Sequence, residues 1–402
     1  MKTNNTASAE NRPGLGREFG ALLKNNVRDY VMYIALVAIF LFFGIMTKGR
    51  FLSPRNLSDL INQTGYVAVL AIGMTLILII KHIDLSVGYV AGFLGAVSAL
   101  MLSNNIPVYV VIPVILLCGA VVGLYQGTLV SIVKVPAFVT TLAGMFIFRG
   151  LLSMVTAGTG TIIVRDETFK ALSNGFLPDF MPAEDGIHKL TVLIGLIAAV
   201  LMVASQLNNR RQLLRYQFKV NSLPIFIGQL ILFSAIIVAF ILVLANYKGL
   251  PWTAVIVAAV LFIYNFVLNK TRFGRSVYGI GGNSEAAELS GINVRKVTLL
   301  VFASMSMLAA LSGMLYTSRL ASATPQAGLG FELDAIASSY IGGVSVGGGI
   351  GKVTNTIIGA LVIMSLTNGM NLMGVDISVQ YVVKGVIFII AVAFDVITRG
   401  KR

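Results

Sequence analysis

The stretch NKTRFGRSVYGIGGNSEAAELSGINVRKV occupies residues 269–297 and separates two long apolar runs of the chain. It is polar, basic and rich in glycine, so it is predicted to lie outside the membrane-spanning segments. Asn283 or Ser284 can cap the start of a short helix, and Gly291 can end it. Glu285 suits the positive end of that helix's dipole. Because an isolated helix shorter than ~12 residues is marginal in water, we expect this one to dock against another surface.

The residues of the 269–297 stretch leave two interpretations open. One is a solvated loop that contains a single helical turn. The other is a docking element, because Ala286 and Ala287 form a low-relief face that the groove of another protein can approach closely. Gly281 and Gly282, just before the helix, would let the chain enter it at an unusual angle.

Outside this stretch the composition is that of a membrane protein. The chain has 402 residues, of which 56% are hydrophobic and only 11% charged, too few charges to cover a soluble protein of this size. Apolar runs of about 20 residues, long enough to cross ~30 Å of hydrocarbon, recur along nearly the whole length. The sequence therefore predicts an all-α, polytopic helical membrane protein with about 10–12 transmembrane helices, some of them broken or re-entrant. Twelve candidate crossings cover residues 30–47, 60–80, 86–103, 107–133, 136–157, 188–207, 222–246, 251–268, 298–318, 333–350, 352–373 and 378–397.

The basic residues indicate the orientation of these crossings. A net charge of +14 would suggest nucleic acid as a partner for a soluble protein, but here Lys and Arg lie in short loops between apolar runs, so no nucleic-acid partner is expected. An N-terminal arm at residues 1–29 that starts in the cytoplasm places the 269–297 stretch and the 399–402 tail there too. Most basic residues then fall on the cytoplasmic side, as the positive-inside rule requires. The main exceptions lie in the first outer loop, around Arg50.

Two segments within the transmembrane domain, predicted at residues 30–398, are unusual. Residues 341–351, IGGVSVGGGIG, contain six glycines in eleven positions, which favours a broken or re-entrant segment that faces the protein interior. The loop at residues 158–188 is the longest outer loop and is acidic. It is either a periplasmic docking surface or a plain connector, and the sequence leaves both open.

Polar side chains within or beside the spans are candidates for lining a path across the membrane. Asp84 and Ser86 interrupt two apolar runs, which indicates either a cavity or a helix N-cap formed by Asp84. Interhelical hydrogen bonds explain the other polar residues as well as contact with a substrate does. The full set is Asn62, Gln63, Asp84, Ser86, Gln126, Thr140, Thr141, Asp334, Asn368 and Asn371.

Residues for catalysis or metal binding do not form any known pattern in this sequence. The run GGGIGKV at residues 347–353 lacks the first Gly and the final Ser or Thr of a phosphate-binding loop. Cys118 is the single cysteine, and it is expected to be a small core residue. His82 and His188 are far apart in sequence, so neither an enzyme nor a metal site is predicted.

Several segments resemble one family of transporters, the permeases of bacterial ATP-binding-cassette importers for monosaccharides of the ribose and xylose type. GGNSEAAELSGI at residues 281–292 resembles their coupling loop, and IDLSVG at residues 83–88 resembles their signature segment. Residues 135–145, 332–337 and 368–372 are also similar to the family. The chain has an extra pair of crossings between His188 and Asn269, which resembles the xylose or multiple-monosaccharide branch.

The resemblance implies that the short helix fits a cleft of a separate ATPase subunit. It assigns that coupling role to Gly282, Asn283, Glu285, Ala286, Ala287, Ser290 and Gly291. It implies that ATP and Mg²⁺ bind to the partner and not to this chain, and that a periplasmic binding protein delivers the sugar. It also implies a permease dimer, most simply of two copies, within the lipid of the bacterial inner membrane, with both termini cytoplasmic.

Two other classes of transporter remain as alternatives. An ion-coupled secondary transporter would use the acids Asp84, Asp334, Asp376 and Asp395. A permease of the same superfamily for a branched-chain amino acid or a nucleoside would share the coupling loop but would match the 83–86 segment less closely.

Overall fold

Long apolar helices make up most of the chain. The computed structural model describes residues 27–158, 160–180, 186–218, 220 and 222–399, so the N-terminal arm up to residue 26 and residues 400–402 of the tail lie outside it. The helices are α1 (Val27–Met46), α2 (Pro54–Ile79), α3 (Val87–Ser103), α4 (Val108–Ser131), α5 (Ala137–Thr156), α6 (Glu167–Asn174), α7 (Lys189–Arg215), α8 (Leu223–Ala245), α9 (Trp252–Lys270), α10 (Arg272–Gly282), α11 (Ser284–Leu289), α12 (Val294–Leu320), α13 (Phe331–Ile341), α14 (Val353–Leu372) and α15 (Ile377–Arg399). A 3-10 turn lies at Arg50–Leu52, and two short strands, β1 (Ile162–Ile163) and β2 (Ser322–Ala323), pair antiparallel.

The prediction of an all-α polytopic membrane protein is confirmed. Within the described residues, eight helices are long and apolar enough to cross a membrane: α2, α4, α5, α7, α8, α9, α12 and α14. Three shorter apolar helices lie at Val31–Met46, Val87–Ser103 and Ile377–Ala393. The eight long and three shorter apolar helices together fall within the predicted range of 10–12 transmembrane helices.

The crossing predicted at residues 333–350 is wrong as a continuous span. Its helix, α13, has 11 residues and is therefore ~16 Å long, about half of what the hydrocarbon layer requires. The chain then leaves the helix and runs as a non-helical loop over residues 342–352, in which Gly343, Gly348 and Gly349 have positive φ angles. The predicted break in this segment is thus confirmed. Val344 and Ser345 are buried, whereas Val346 and Ile350 are exposed, so only part of the 342–352 loop faces the interior.

Helices α2 and α12 form the centre of the bundle, and α7 and α8 lie at its periphery. The apolar window of α2 is 89% buried and that of α12 is 72% buried, against 17% for α7 and 6% for α8. Helix α4 packs closely on α12 through Gly119, Gly123 and Gly127, which recur every four residues on one face. A Cβ atom added at Gly123 would lie 2.2 Å from the carbonyl oxygen of Phe302. Small residues allow such backbone approach between helices, where lipid supplies no hydrophobic driving force.

We expect the Gly123→Ala substitution to destabilise the protein by about 1–3 kcal/mol, because the added methyl group meets backbone atoms of α12 that must move away. Gly150 in α5 is the matched control, since a Cβ atom there meets nothing within 4 Å. Thermal unfolding in detergent checks this difference. Equal unfolding temperatures for the Gly123→Ala and Gly150→Ala variants would show that the close α4–α12 contact is not needed.

The loop at residues 158–188 and the 269–297 stretch lie at opposite ends of α12. The hydroxyl of Ser318, near the end of α12, donates to the carbonyl oxygen of Phe169 in α6 at 2.8 Å. The 269–297 stretch runs directly into the start of α12 at Val294. Because the 27 residues of α12 span ~40 Å, the two loops lie on opposite sides of the membrane-spanning bundle.

Two acids of the 158–188 loop are engaged in helix capping. The carboxylate of Asp166 accepts a hydrogen bond from Phe169 N at 2.8 Å at the start of α6. Asp179 accepts one from Lys189 N at 2.8 Å at the start of α7. Glu184 and Asp185, which also contributed to the predicted acidic character, lie outside the described residues.

Candidate functional site

The short helix predicted within the 269–297 stretch is confirmed as α11. Its N-cap is Asn283, whose side-chain oxygen accepts a hydrogen bond from Ala286 N at 3.0 Å. Glu285 lies in the first turn, where a carboxylate stabilises the helix dipole. The helix ends at Leu289, and Gly291 follows with φ +84°. The local signals for capping and termination were therefore sufficient to locate this element.

A second helix, α10, directly precedes α11 and was not predicted. Gly281 and Gly282 were expected to set an unusual entry angle for the short helix, but both are the last residues of α10, and the change of direction falls on Asn283 at φ −148° and ψ 110°. Thr271 is the N-cap of α10, and its side-chain oxygen accepts a hydrogen bond from Gly274 N. Its buried positions include Val277.

Helix α11 projects from the protein with most of its surface exposed. Glu285, Ala286, Glu288 and Ser290 are exposed, and Leu289 is 90% exposed. Ala287 is the exception at 5%, because it faces this chain's own helices. Ala287 therefore anchors α11 on this chain, and the coupling role assigned to it stays a prediction. The other exposed side chains form a surface that nothing in the described chain covers.

Helix α10 connects α11 to two other parts of the chain where three backbones meet. Gly349 N in the 342–352 loop donates a hydrogen bond to the carbonyl oxygen of Ile79, the last residue of α2, at 2.8 Å. Gly281 in α10 lies against the same two residues, because a Cβ atom added to it would be 1.9 Å from Ile79 O and 2.6 Å from Gly349 N. We call the contact of Ile79, Gly281 and Gly349 the three-backbone junction.

Side chains strengthen the three-backbone junction on both sides. The ammonium group of Lys81, just after α2, donates to the carbonyl oxygen of Gly282 at 3.1 Å. The hydroxyl of Tyr278 in α10 donates to the carbonyl oxygen of Gly351 at 2.8 Å. A displacement of α10 would therefore be transmitted to the end of α2 and to the 342–352 loop.

The connector between α2 and α3, residues 80–86, leads from the junction to a buried polar cluster. Asp84 Oδ1 accepts hydrogen bonds from Ser86 N at 2.9 Å and from Ser86 Oγ at 2.6 Å. Gln126 Nε2 in α4 donates to Ser86 Oγ at 2.9 Å, and Thr141 Oγ1 in α5 donates to Ile83 O at 3.3 Å. This Asp84 cluster thus joins the connector to two membrane-spanning helices.

Of the two interpretations of Asp84, the one in which it is the N-cap of α3 is not what the structure shows. The N-cap position is Ser86, which makes no capping bond, while Asp84 holds the turn before it. Asp84 Oδ2 is buried without a hydrogen-bond partner among the described residues. Burial of this carboxyl group, which lies outside both flanking helices, raises its pKa to about 6, although its bonds to Ser86 act in the opposite direction.

We expect the Asp84→Ala substitution to destabilise the protein by about 1–3 kcal/mol, because it leaves the buried N–H group of Ser86 without its acceptor and removes the shorter hydrogen bond of the Ser86 hydroxyl. Asp59→Ala removes an exposed carboxylate from α2 and serves as the control. Thermal unfolding in detergent distinguishes the two. An Asp84→Ala variant as stable as the Asp59→Ala variant would contradict a structural role for the Asp84 cluster.

Other predicted path residues form a second polar cluster between α2 and α14. Asn368 in α14 accepts a hydrogen bond from Asn56 Nδ2 at 2.9 Å and donates to Gln63 Oε1 in α2 at 3.3 Å. Asn371 Oδ1 accepts one from Gln380 Nε2 of α15 at 2.8 Å. Asn56 and Gln380 were not among the predicted path residues, although both are amides next to apolar runs.

Asp334 and the remaining polar residues stand apart from these two clusters. Asp334 in α13 forms an ion pair with Lys384 in α15, with Lys384 Nζ 3.0 Å from Asp334 Oδ1. Asn62 and Thr140 are buried, and the Oδ1 and Oγ1 atoms of these two residues have no hydrogen-bond partner among the described residues. The ten predicted path residues therefore do not converge on one site within a single chain.

A large surface cavity lies apart from both polar clusters. It has a volume of about 720 Å³ and lies at the end of the bundle that carries the 158–188 loop. Its lining includes Asn105, Thr161, Arg165 and Asp166, and none of the predicted path residues. Among the residues that the structure describes, no group of three or more His, Cys, Asp or Glu side chains is arranged to hold a metal ion.

Comparisons with known proteins find one matching family model and several similar permeases. The family model described as "Branched-chain amino acid transport system / permease component" matches residues 56–183 and 171–392. The xylose transport system permease protein XylH of Haemophilus influenzae is 39% identical over 94% of this chain and 98% of its own length. XylH of Escherichia coli strain K12 is 38% identical over 95% of each chain. The ribose import permease protein RbsC of Haemophilus influenzae is 33% identical over 92% of each chain. No solved structure matches this chain.

Proposed function

Because the chain belongs to the branched-chain amino acid transport system / permease component family, we propose that it is the membrane-spanning subunit of an ATP-driven monosaccharide importer. Xylose is the proposed substrate, since relatives named as xylose permeases match nearly the full length at 38–39% identity. Ribose is the second sugar to test, because the ribose permease RbsC is 33% identical. The chain is a transport subunit and not an enzyme.

The observation that carries this proposal is the exposed surface of helix α11, which Ala287 anchors to the rest of the chain. Its capped turn presents Glu285, Ala286 and Ser290, and Leu289 leaves an apolar side chain almost fully in water. A cleft of an ATPase subunit would bury that side chain, which stabilises the contact by about 1.5–3 kcal/mol. Gly282, Asn283 and Gly291 shape the two ends of the helix, and ATP and Mg²⁺ would bind to the partner.

Motion of α11 would reach the membrane through the three-backbone junction. Helix α10 would move together with α11, because Asn283, the N-cap of α11, is bonded directly to the last residue of α10. From α10, the Gly281 contact and the Lys81 hydrogen bond lead to the connector at residues 80–86 and on to the Asp84 cluster. We propose that this chain of contacts couples ATP hydrolysis to movement of α3, α4 and α5.

The assembly that we propose places α11 in the cytoplasm, together with both termini. The opposite end of α12, with the 158–188 loop and the large cavity beside it, would then face the periplasm and receive the sugar-binding protein. Two copies of the chain would form the translocation path between them. The polar path residues that do not converge within one copy are proposed to act in that dimer.

Uptake of labelled xylose tests the proposal. The chain would be produced with its own ATPase and binding-protein partners in bacterial cells that lack xylose uptake. We expect saturable uptake that stops when the ATPase partner carries an inactivating substitution in its nucleotide site. Uptake of ribose and not xylose in the same cells would keep the importer class and change the substrate.

An ion-coupled secondary transporter would give a different result in this experiment. Its uptake would continue without the ATPase and would collapse when a protonophore is added. Two of the acids named for this class have partners within the chain, because Asp334 pairs with Lys384 and Asp84 Oδ1 accepts a hydrogen bond from Ser86. Asp376 is exposed and accepts a hydrogen bond from Ser378 N, and the side chain of Asp395 lies outside the described residues.

A further inference from the structure

Helices α7 and α8 form a hairpin at the edge of the bundle, and the end of that hairpin at residues 208–222 is strongly basic. Arg210, Arg211 and Arg215 lie on the last two turns of α7. The sequence contains no Asp or Glu between Asp185 and Glu285, so no acid on the hairpin balances this charge. No described ion pair involves Arg211 or Arg215, and both are exposed.

The basic end of the hairpin lies at the surface of the membrane. Helix α7 has 27 residues and is ~40 Å long, which exceeds the ~30 Å hydrocarbon layer, so its polar last turns extend into the headgroup region. Tyr216 and Phe218, which follow directly, are 69% and 62% exposed. Exposed aromatic residues next to an apolar helix are typical of the membrane interface.

A groove between the two helices gives these charges a defined geometry. It has a volume of about 180 Å³, and its polar lining comprises Gln206, Asn209, Arg210 and Gln229. The guanidinium carbon of Arg210 lies 4.6 Å from the centre of the Phe226 ring of α8. This cation–π contact holds the guanidinium group against the ring, and a guanidinium group is suited to bidentate contact with phosphate.

We propose that this groove binds the phosphate of an anionic phospholipid in the cytoplasmic leaflet. The groove supplies amide side chains and the guanidinium group of Arg210, while Arg211 and Arg215 add positive charge on the same two turns of α7. The apolar outer faces of α7 and α8, which are mostly exposed, would contact the acyl chains. The inference depends on the proposed function in one respect only, which is that this end of the hairpin faces the cytoplasm.

Binding of individual lipids to the purified full chain in detergent, followed by native mass spectrometry, tests the inference. We expect the Arg211→Gln/Arg215→Gln variant to bind phosphatidylglycerol about 25-fold more weakly, as the loss of two cations near an anionic headgroup requires. Binding of phosphatidylcholine should not change. The matched control is Lys189→Gln/Lys248→Gln, which removes the same charge from the other end of the same hairpin.

Three outcomes would overturn the inference. Phosphatidylglycerol affinity could be unchanged in the Arg211→Gln/Arg215→Gln variant, or it could fall equally in the control. Displacement of the lipid by inorganic phosphate, but not by chloride at the same ionic strength, would assign the groove to a soluble phosphate ligand. Because the measurement needs neither ATPase nor sugar, its failure would leave the proposed function untouched.

Discussion

The Gly281→Ala substitution is expected to reduce ATP-driven uptake about tenfold or more while the protein still inserts into the membrane. The added methyl group would lie 1.9 Å from Ile79 O and 2.6 Å from Gly349 N, so α10 must move away from α2 and from the 342–352 loop. Distortion of this kind costs about 1–3 kcal/mol, and 1.4 kcal/mol corresponds to a factor of ten. Uptake and ATPase activity of the reconstituted transporter measure the effect.

The Gly279→Ala variant is the matched control for Gly281→Ala. Gly279 lies in the same helix, and a Cβ atom there meets only the flexible end of Ile292, at 3.4 Å. Both substitutions improve helix propensity by a similar amount, so a difference between them reports the three-backbone junction. Equal uptake by the two variants would show that this junction does not carry motion.

The Leu289→Ala substitution is expected to weaken binding of the ATPase subunit about 10–30-fold without changing the stability of the permease. Leu289 is 90% exposed, so its truncation removes no internal packing. In the complex it would lose about 2 kcal/mol of apolar burial. Affinity for the purified ATPase subunit and thermal unfolding of the permease alone give the two readouts.

Related substitutions on α11 separate docking from coupling. Replacement of Glu285, or Ala286→Trp, is expected to uncouple ATP hydrolysis from uptake while insertion remains normal, because both side chains are exposed. Arg295→Ala, an exposed change in the first turn of α12, should have no effect and serves as the control. Normal transport by the Ala286→Trp variant would contradict the docking role of this helix.

The helical membrane fold was predictable because apolar length is a local property of the sequence. The count of spans failed only at residues 333–350, where the glycines had already indicated a break. In the structure α13 stops at Ile341, and the 342–352 loop turns back towards Ile79. The position of that contact was not predictable, because the partners are far apart in the chain.

In the candidate site, too, only the features set by neighbouring residues were predictable. Asn283, Glu285 and Gly291 define α11 by short-range capping rules, and the helix was found from them. The α10 helix was missed because Gly281 and Gly282 were expected to set the entry angle of α11, although they end α10 and Gly281 allows close backbone contact. Pairings such as Asn56 with Asn368, 312 residues apart, depend on the tertiary fold and leave no local signal.

The side of the membrane on which α11 lies tests the central claim most directly. A Glu288→Cys variant in a Cys118→Ser background places one exposed thiol on α11, since Cys118 is the chain's single cysteine. In intact cells an impermeant maleimide added outside should leave this thiol unlabelled, and labelling should appear once the inner membrane is opened. Labelling in intact cells whose inner membrane is sealed would place α11 outside and contradict its contact with a cytoplasmic ATPase.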